Sequence, residues 1–137
     1  MNGPLDDRGL PAGYQFRPEY EMTPRDAAAQ LARNPDSLLL VDCRTQPEWD
    51  FVHIPGSVWI PLSEIEKRAD ELEPKPGQVV AVICHHGVRS LRASLALRQL
   101  GHPAAMSVAG GIEAWAMGAD QTLARYERGP LGCTPLR

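Results

Sequence analysis

Acidic residues are missing from one long stretch of this chain. Although the sequence contains 17 Asp and Glu residues, none of them lies between Glu73 and Glu113. This interval carries a charge of +4 and the remainder of the chain −7, and its basic residues are Lys75, Arg89, Arg92 and Arg98. A locally positive field attracts small anions and favours a cysteine thiolate. Four separated cations in a chain of net charge −3 make a poor nucleic-acid surface, so we expect no nucleic-acid partner.

The sequence also lacks long apolar runs, paired cysteines and an export signal. Its longest apolar runs fall far short of the ~20 residues that a membrane-spanning helix needs. The N-terminal residues show neither the basic start nor the apolar stretch of a secretory signal peptide. The three cysteines are irregularly spaced, and together with the His85–His86 pair they match no zinc-binding pattern. These absences predict a cytoplasmic protein with no membrane contact, no metal and no cofactor.

The length of 137 residues is that of a single domain. Residues 1–19 are rich in glycine, proline and charge without any period, which predicts an arm with little structure of its own. Residues 20–118 show the alternating patterns of a folded domain. Residues 119–137 form a tail, in which the pattern at 121–126 predicts a helical turn.

Short apolar segments alternate with helical patterns through the predicted domain. The strand candidates are residues 20–22, 38–42, 57–60, 79–83 and 105–108. Between them, apolar residues recur at helical spacing, as expected for helices that pack one side against a sheet. This alternation predicts an α/β fold with a mostly parallel sheet.

One apolar segment ends at Cys84, and this junction carries the strongest chemical signal. A short polar loop containing Gly87 follows the cysteine and leads into an amphipathic helix. Such a loop turns backbone N–H groups inward, and the helix adds partial positive charge at its first turn. An anion is stabilised in this position. We therefore predict that Cys84 is a nucleophile that reacts as the thiolate.

Asp42 ends a second apolar segment and is expected near Cys84, because ligands of parallel α/β sheets bind beyond the carboxyl ends of the strands. Asp42 and Arg44, together with Glu48, are predicted to hold loops through Arg–carboxylate pairs and so to support the site. Cys43 follows the same buried segment, which is typical of an inert, small hydrophobic residue.

These residues resemble the rhodanese domain, the thiosulfate sulfurtransferase family. Three stretches carry the resemblance in the family's order and cover about residues 20–118: Leu40-Val41-Asp42-Cys43-Arg44 with Glu48 and His53-Ile54-Pro55-Gly56, then Cys84-His85-His86-Gly87-Val88-Arg89-Ser90, then Ala109-Gly110-Gly111-Ile112-Glu113-Ala114-Trp115. The resemblance implies a rhodanese-like fold with a five-stranded, mostly parallel sheet and helices on both faces.

The resemblance also implies a thiosulfate:cyanide or thiosulfate:thiol sulfurtransferase reaction. Cys84 would take sulfane sulfur from thiosulfate or a persulfide donor, hold it as a persulfide, and pass it to a thiol acceptor, which could be a protein. The N–H groups of residues 85–89 would surround the persulfide, and Arg89 would shape the loop and hold an anionic donor. His85 and His86 are expected to face solvent and contact substrate. The loop residues assigned to the site are His85, His86, Gly87, Val88, Arg89 and Ser90.

Three alternatives remain open at the level of sequence. A loop of six residues from Cys84 to Arg89 resembles sulfurtransferases, whereas the related phosphatases use one residue more; phosphatase or arsenate reductase chemistry is therefore the weaker reading. A catalytically idle, rhodanese-like binding module would use the arm and tail to recruit a partner. Cys133, in a tail rich in glycine and proline, accepts sulfur from Cys84, forms a disulfide with it, or is an ordinary exposed thiol.

Overall fold

The domain is built on a parallel five-stranded sheet. The computed structural model describes residues 4–136. The sheet consists of β1 (Glu21–Met22), β2 (Leu38–Asp42), β3 (Val58–Trp59), β4 (Val79–Ile83) and β5 (Met106–Val108). Their order is β1-β5-β4-β2-β3, and every neighbouring pair is parallel. The predicted α/β fold with a five-stranded sheet is confirmed.

Helices cover both faces of the sheet, as predicted. The α-helices within residues 4–136 are α1 (Pro24–Arg33), α2 (Gln46–Phe51), α3 (Ile65–Arg68), α4 (Val88–Gln99) and α5 (Gly111–Gly118). Helices α3 and α4 pack together on one face, and α1 and α5 pack together on the other. Thr23 caps α1 by accepting a hydrogen bond from the N–H of Asp26, and Pro24 stands at the first helical position, where a missing N–H costs nothing.

The hydrophobic core is divided into two clusters by the sheet. Successive side chains of a strand point to opposite faces, so Val82 and Cys84 belong to the first core cluster, which α3 and α4 cover. Ala81 and Ile83 belong to the second core cluster, which α1 and α5 cover. Cys84 therefore lies at the end of a strand that is buried on both faces.

The N-terminal arm packs firmly onto the domain although residues 4–20 include no helix and only an isolated bridge between Leu5 and Pro11. Leu10 is completely buried. Tyr14 donates its hydroxyl hydrogen to the buried carboxylate of Glu21, with 2.5 Å between the oxygens. The arm therefore packs through specific side chains although its backbone is irregular. Tyr14 brings it close to Gly87, three residues after Cys84.

The C-terminal segment contains a β-hairpin, so the prediction of a helical turn at residues 121–126 is wrong. Strands β6 (Arg125–Gly129) and β7 (Gly132–Leu136) pair antiparallel and form the C-terminal hairpin (residues 125–136). Tyr126 anchors this hairpin in the second core cluster and is 1% exposed. Of the helices formed within residues 4–136, none is long and apolar enough to cross a membrane.

Candidate active site

Cys84 follows β4 directly and is 1% exposed. Its Sγ accepts a hydrogen bond from the N–H of Gly87 at 3.1 Å and lies 3.3 Å from the hydroxyl oxygen of Ser90. That hydroxyl is in turn 2.8 Å from the hydroxyl of Ser107 on β5. A thiolate at this position would accept two hydrogen bonds, one from the N–H of Gly87 and one from the hydroxyl of Ser90. The oxygen of Ser90 could then accept a hydrogen bond from the hydroxyl of Ser107.

Helix α5 orients the backbone of the Cys84 loop (residues 84–89). The N–H groups of Ile112 and Glu113, in its first turn, donate to the carbonyl oxygens of Cys84 and His85 at 2.8 and 3.1 Å. In a trans peptide the carbonyl and the following N–H point in opposite directions. The N–H groups of His85 and His86 therefore point away from α5.

Two glycines allow the close approaches around this loop. Gly111 has φ +64°, and a Cβ atom there would lie 2.5 Å from the carbonyl oxygen of Cys84. Gly87 has φ +101°, and its Cβ atom would lie 2.8 Å from the hydroxyl oxygen of Tyr14 and 3.0 Å from the nitrogen of Gly110. Both positions need a residue that tolerates positive φ and has no side chain. The second contact also shows that the N-terminal arm forms part of the wall around the loop.

Arg89 holds the end of the Cys84 loop through a two-pronged ion pair with Glu48. Its two terminal nitrogens donate to the two carboxylate oxygens at 2.8 and 3.0 Å. Although burial opposes ionisation, the hydrogen bonds from Arg89 and Tyr126 lower the pKa of Glu48 to about 2, so the pair is charged at neutral pH. The ion pair fixes the guanidinium of Arg89 at the end of the loop; its roles in shaping the loop and in holding a donor anion stay predictions.

A buried network connects this ion pair to the end of β2. Arg44 is completely buried, and its guanidinium donates to Asp42, with 2.6 Å from Nη2 to Oδ2, and to the carbonyl oxygen of Val52. It also donates to the hydroxyl of Tyr126 at 3.0 Å, and that hydroxyl donates to Glu48 at 2.5 Å. Asp42 and Arg44 are thus connected to Arg89 of the loop through Tyr126 and Glu48, and their supporting role stays a prediction.

The two histidines of the loop differ in environment. We expect both to face solvent, and for His85 this expectation is wrong, since only 4% of the residue is exposed. Its ring stacks on Tyr126 with centroids 4.1 Å apart, and its Nε2 makes no hydrogen bond within the described part of the chain. Burial, reinforced by the neighbouring His86, lowers the pKa of His85 to about 4, so the ring is neutral at pH 7. His86 is exposed.

A pocket of about 420 Å³ opens beside the loop, between the two histidines and the C-terminal hairpin. Its walls are His85, His86, Glu113, Tyr126, Glu127, Arg128 and Leu136. Val88, another loop residue predicted for the site, is 72% exposed and stands outside these walls. The pocket thus borders the Cys84 loop at His85 and His86, and Cys84 itself is not among the residues that line it.

The structure separates Cys133 from the other two cysteines. Cys43 and Cys84 are buried in the first core cluster, whereas Cys133 lies in β7, half-buried against the second core cluster. Cys133 is therefore not the mobile, exposed thiol that the composition of the tail predicts. Burial raises the pKa of the Cys133 thiol, which leaves it protonated at neutral pH.

Sequence reasoning missed three side chains that complete the site: Tyr14, Ser107 and Tyr126. Ser107 stands on the predicted strand 105–108, and a polar residue on a central strand was the available signal. Tyr14 and Tyr126 lie in the arm and the hairpin, where no period or motif marks them. Only long-range packing brings them to the Cys84 loop.

Fold and site together define a class of protein. A parallel α/β sheet presents a buried cysteine at its carboxyl edge, in a loop whose backbone is oriented for an anion. The same arrangement leaves an open pocket beside the loop. These features define the class of parallel α/β proteins that carry a cysteine in an anion-binding loop at the carboxyl edge of the sheet.

Comparison with known proteins identifies the family within this class. Residues 23–117 match the Rhodanese-like domain, so the chain belongs to the rhodanese-like family. The match excludes the C-terminal hairpin and with it Tyr126, and it begins after Tyr14.

Relatives and solved structures agree with this placement. The chain is 37% identical over 90 residues to a putative sulfur carrier protein, YrkF, of Bacillus subtilis, covering 66% of this chain and 48% of the relative. It thus spans about half the length of that protein. It is 35% identical over 91 residues to a sulfurtransferase of Allochromatium vinosum, covering 66% of this chain and 83% of the relative. The crystal structure of a rhodanese-related protein from Thermoplasma volcanium superposes with a TM-score of 0.58 and 35% identity, over 70% of this chain and 89% of that one.

Proposed function

We propose that the chain is a sulfurtransferase that carries sulfane sulfur on Cys84. The observation that carries the proposal is the setting of Sγ, which receives the N–H of Gly87 at 3.1 Å and lies 3.3 Å from the Ser90 hydroxyl. Relatives named as a sulfur carrier and a sulfurtransferase support the same chemistry. The donor is thiosulfate or a persulfide, and the acceptor is a thiol on a small molecule or a protein.

The reaction takes two steps. The Cys84 thiolate attacks the outer sulfur of thiosulfate, the S–S bond of the donor breaks, and sulfite leaves with the bonding electron pair. An acceptor thiolate then attacks the outer sulfur of the Cys84 persulfide, forms a new S–S bond and releases the Cys84 thiolate. Loop N–H groups and the Ser90 hydroxyl stabilise the negative charge in both states. The acceptor approaches through the pocket beside His86.

The protonation states of Glu48 and His85 favour sulfur transfer over phosphate ester hydrolysis. An alkoxide leaving group needs a proton from a general acid, whereas sulfite leaves as a stable anion. Glu48 is ionised and bound to Arg89, and His85, with a pKa of about 4, is unprotonated at neutral pH. Neither side chain is available as an acid. The loop of six residues argues in the same direction.

A single loading experiment tests the proposal. Reduced protein is incubated with thiosulfate and desalted; we expect one equivalent of sulfite and one added sulfur on the Cys84 peptide, which cyanide then removes. Cys84→Ala should give neither product, and Cys133→Ala should behave as the unchanged protein. Absence of sulfite and of the sulfur adduct would reject the proposal.

Two further measurements address the alternatives. Hydrolysis of p-nitrophenyl phosphate that depends on Cys84 would favour a phosphatase. Equal performance of the unchanged protein and Cys84→Ala in a cellular complementation assay would favour a binding module that does not use its cysteine.

A further inference from the structure

The mechanism above uses one cysteine, but a second thiol lies beside it. The parallel pairing of β2 with β4 sets Asp42 opposite Ile83. The ladder continues one residue further, because the N–H of Cys43 donates to the carbonyl oxygen of Ile83 at 3.0 Å. Cys43 and Cys84 are therefore neighbours across two adjacent strand ends.

Both side chains point to the same face of the sheet. Residues that alternate along β2 and β4 separate into the two core clusters, and the first core cluster contains Val41 and Cys43 from one strand and Val82 and Cys84 from the other. Neighbouring strands lie about 4.8 Å apart. This spacing falls within the range of about 4.4–6.8 Å between Cα atoms over which a disulfide forms.

Cys43 is chemically quiet in the resting protein. It is 1% exposed, as is Cys84, and so has almost no contact with solvent. Burial, the neighbouring Cys84 and the carboxylate of Asp42 raise the pKa of the Cys43 thiol, so it carries its proton. These properties agree with the expectation that Cys43 is an inert, small hydrophobic residue in the resting protein. Because the thiolate is the nucleophilic form of cysteine, Cys43 can react only when a neighbouring group takes its proton, and the terminal sulfur of a Cys84 persulfide would be that group.

We propose that Cys43 resolves the Cys84 persulfide, which gives the protein a second activity: release of hydrosulfide when no acceptor is present. The proposal rests on the sulfurtransferase function inferred above. The outer sulfur of the persulfide takes the proton of Cys43, and the resulting Cys43 thiolate attacks Sγ of Cys84. A Cys43–Cys84 disulfide forms, the bond between Sγ and the outer sulfur breaks, and the outer sulfur leaves with that electron pair, so a thiol and a persulfide anion become a disulfide and HS⁻. A dithiol reductant then returns both cysteines to the reduced state by exchange.

The position of the pair gives this step a kinetic advantage. Two groups held by adjacent strands react as an intramolecular pair, with effective concentrations far above those of thiols in solution. A good acceptor at the pocket competes with Cys43 by attacking the outer sulfur, whereas Cys43 attacks the inner one. The protein thus delivers sulfur when an acceptor is bound and discharges it as hydrosulfide when none arrives.

The test follows the fate of the sulfur after loading. Protein loaded with thiosulfate is desalted and kept without any thiol acceptor; sulfite is measured during loading, and hydrosulfide and the linked Cys43–Cys84 peptide are measured afterwards. We expect one equivalent of hydrosulfide per persulfide lost. Cys43→Ala and Cys43→Ser should release sulfite normally, yet keep the persulfide at least about tenfold longer, because the intramolecular thiol is gone. Cys133→Ala should match the unchanged protein.

The outcomes separate this proposal from the one it rests on. Loss of the persulfide at equal rates with and without Cys43, or a disulfide that contains Cys133 or joins two chains, would overturn the role of Cys43. If no sulfite appears at all, thiosulfate transfer fails instead. The cysteine pair is then tested by loading Cys84 with inorganic polysulfide, and the same comparison of hydrosulfide and linked peptide decides.

Discussion

Tyr126→Phe isolates the link between the C-terminal hairpin and the Cys84 loop. The substitution keeps the ring that stacks on His85 and removes the hydroxyl that donates to Glu48 at 2.5 Å and accepts from Arg44 at 3.0 Å. Both partners are charged and buried. Losing a hydrogen bond to a buried charge costs about 1.5–3 kcal/mol. Because Glu48 retains Arg89 and the Thr45 hydroxyl, we expect the variant to lose about 2 kcal/mol of unfolding free energy.

Urea denaturation measures this loss directly. With a slope of about 2 kcal/mol per molar urea, the midpoint should fall by about 1 M. The rate of thiosulfate turnover should fall about tenfold. Without the Tyr126 hydroxyl, Glu48 holds Arg89 less firmly, and we expect the activation free energy to rise by about 1.4 kcal/mol. Tyr20→Phe is the matched control. The guanidinium carbon of Arg98 lies 5.1 Å from the centroid of the Tyr20 ring, as that of Arg44 lies 5.8 Å from the centroid of the Tyr126 ring. The hydroxyl of Tyr20 makes no hydrogen bond among the described residues. Equal midpoints for both variants would refute the reasoning.

Two other predictions concern stability. Gly111→Ala should lose about 3 kcal/mol, because it adds a clash with the Cys84 carbonyl to the cost of positive φ; Gly77→Ala, which has φ +81° and open space, should show only the conformational cost of about 1 kcal/mol. Equal losses would contradict the clash. The pKa of His85 falls from 6.5 to about 4 on folding. Protons therefore bind the unfolded chain more readily than the folded protein, so the folded protein is most stable above pH 6.5 and loses stability as the pH falls to 4. Unfolding free energy should drop by about 2 kcal/mol over this interval. His85→Phe should flatten that drop, and an unchanged slope would contradict the assignment.

The hairpin and the arm extend the site beyond the part of the chain that matches the family. Tyr126 places a hydroxyl between Arg44 and Glu48, and Tyr14 places its hydroxyl against Gly87. Both residues lie outside residues 23–117. Neither forms part of the bond-making chemistry proposed above, so variation there is expected to tune loop rigidity and pocket shape without altering the nucleophile.

Some features followed from the sequence by itself because they depend on local order along the chain. Strand 79–83 ends at Cys84, Gly87 follows within the loop, and the period of the next helix is visible without any distant contact. The alternation of strands and helices likewise predicted the parallel sheet. The length of the loop from Cys84 to Arg89 is likewise local, and its resemblance to the loops of sulfurtransferases made phosphatase chemistry the weaker alternative.

Tertiary structure alone decided the features that join residues distant in the chain. Tyr126 meets Glu48 across 78 positions, and Arg89 meets Glu48 across 41. The periodicity of apolar residues along the chain does not predict such contacts, because a polar side chain can be buried only where other elements of the fold supply its hydrogen-bond partners. For the same reason the burial of His85 and the adjacency of Cys43 to Cys84 emerged only from the packing of the hairpin and the pairing of β2 with β4.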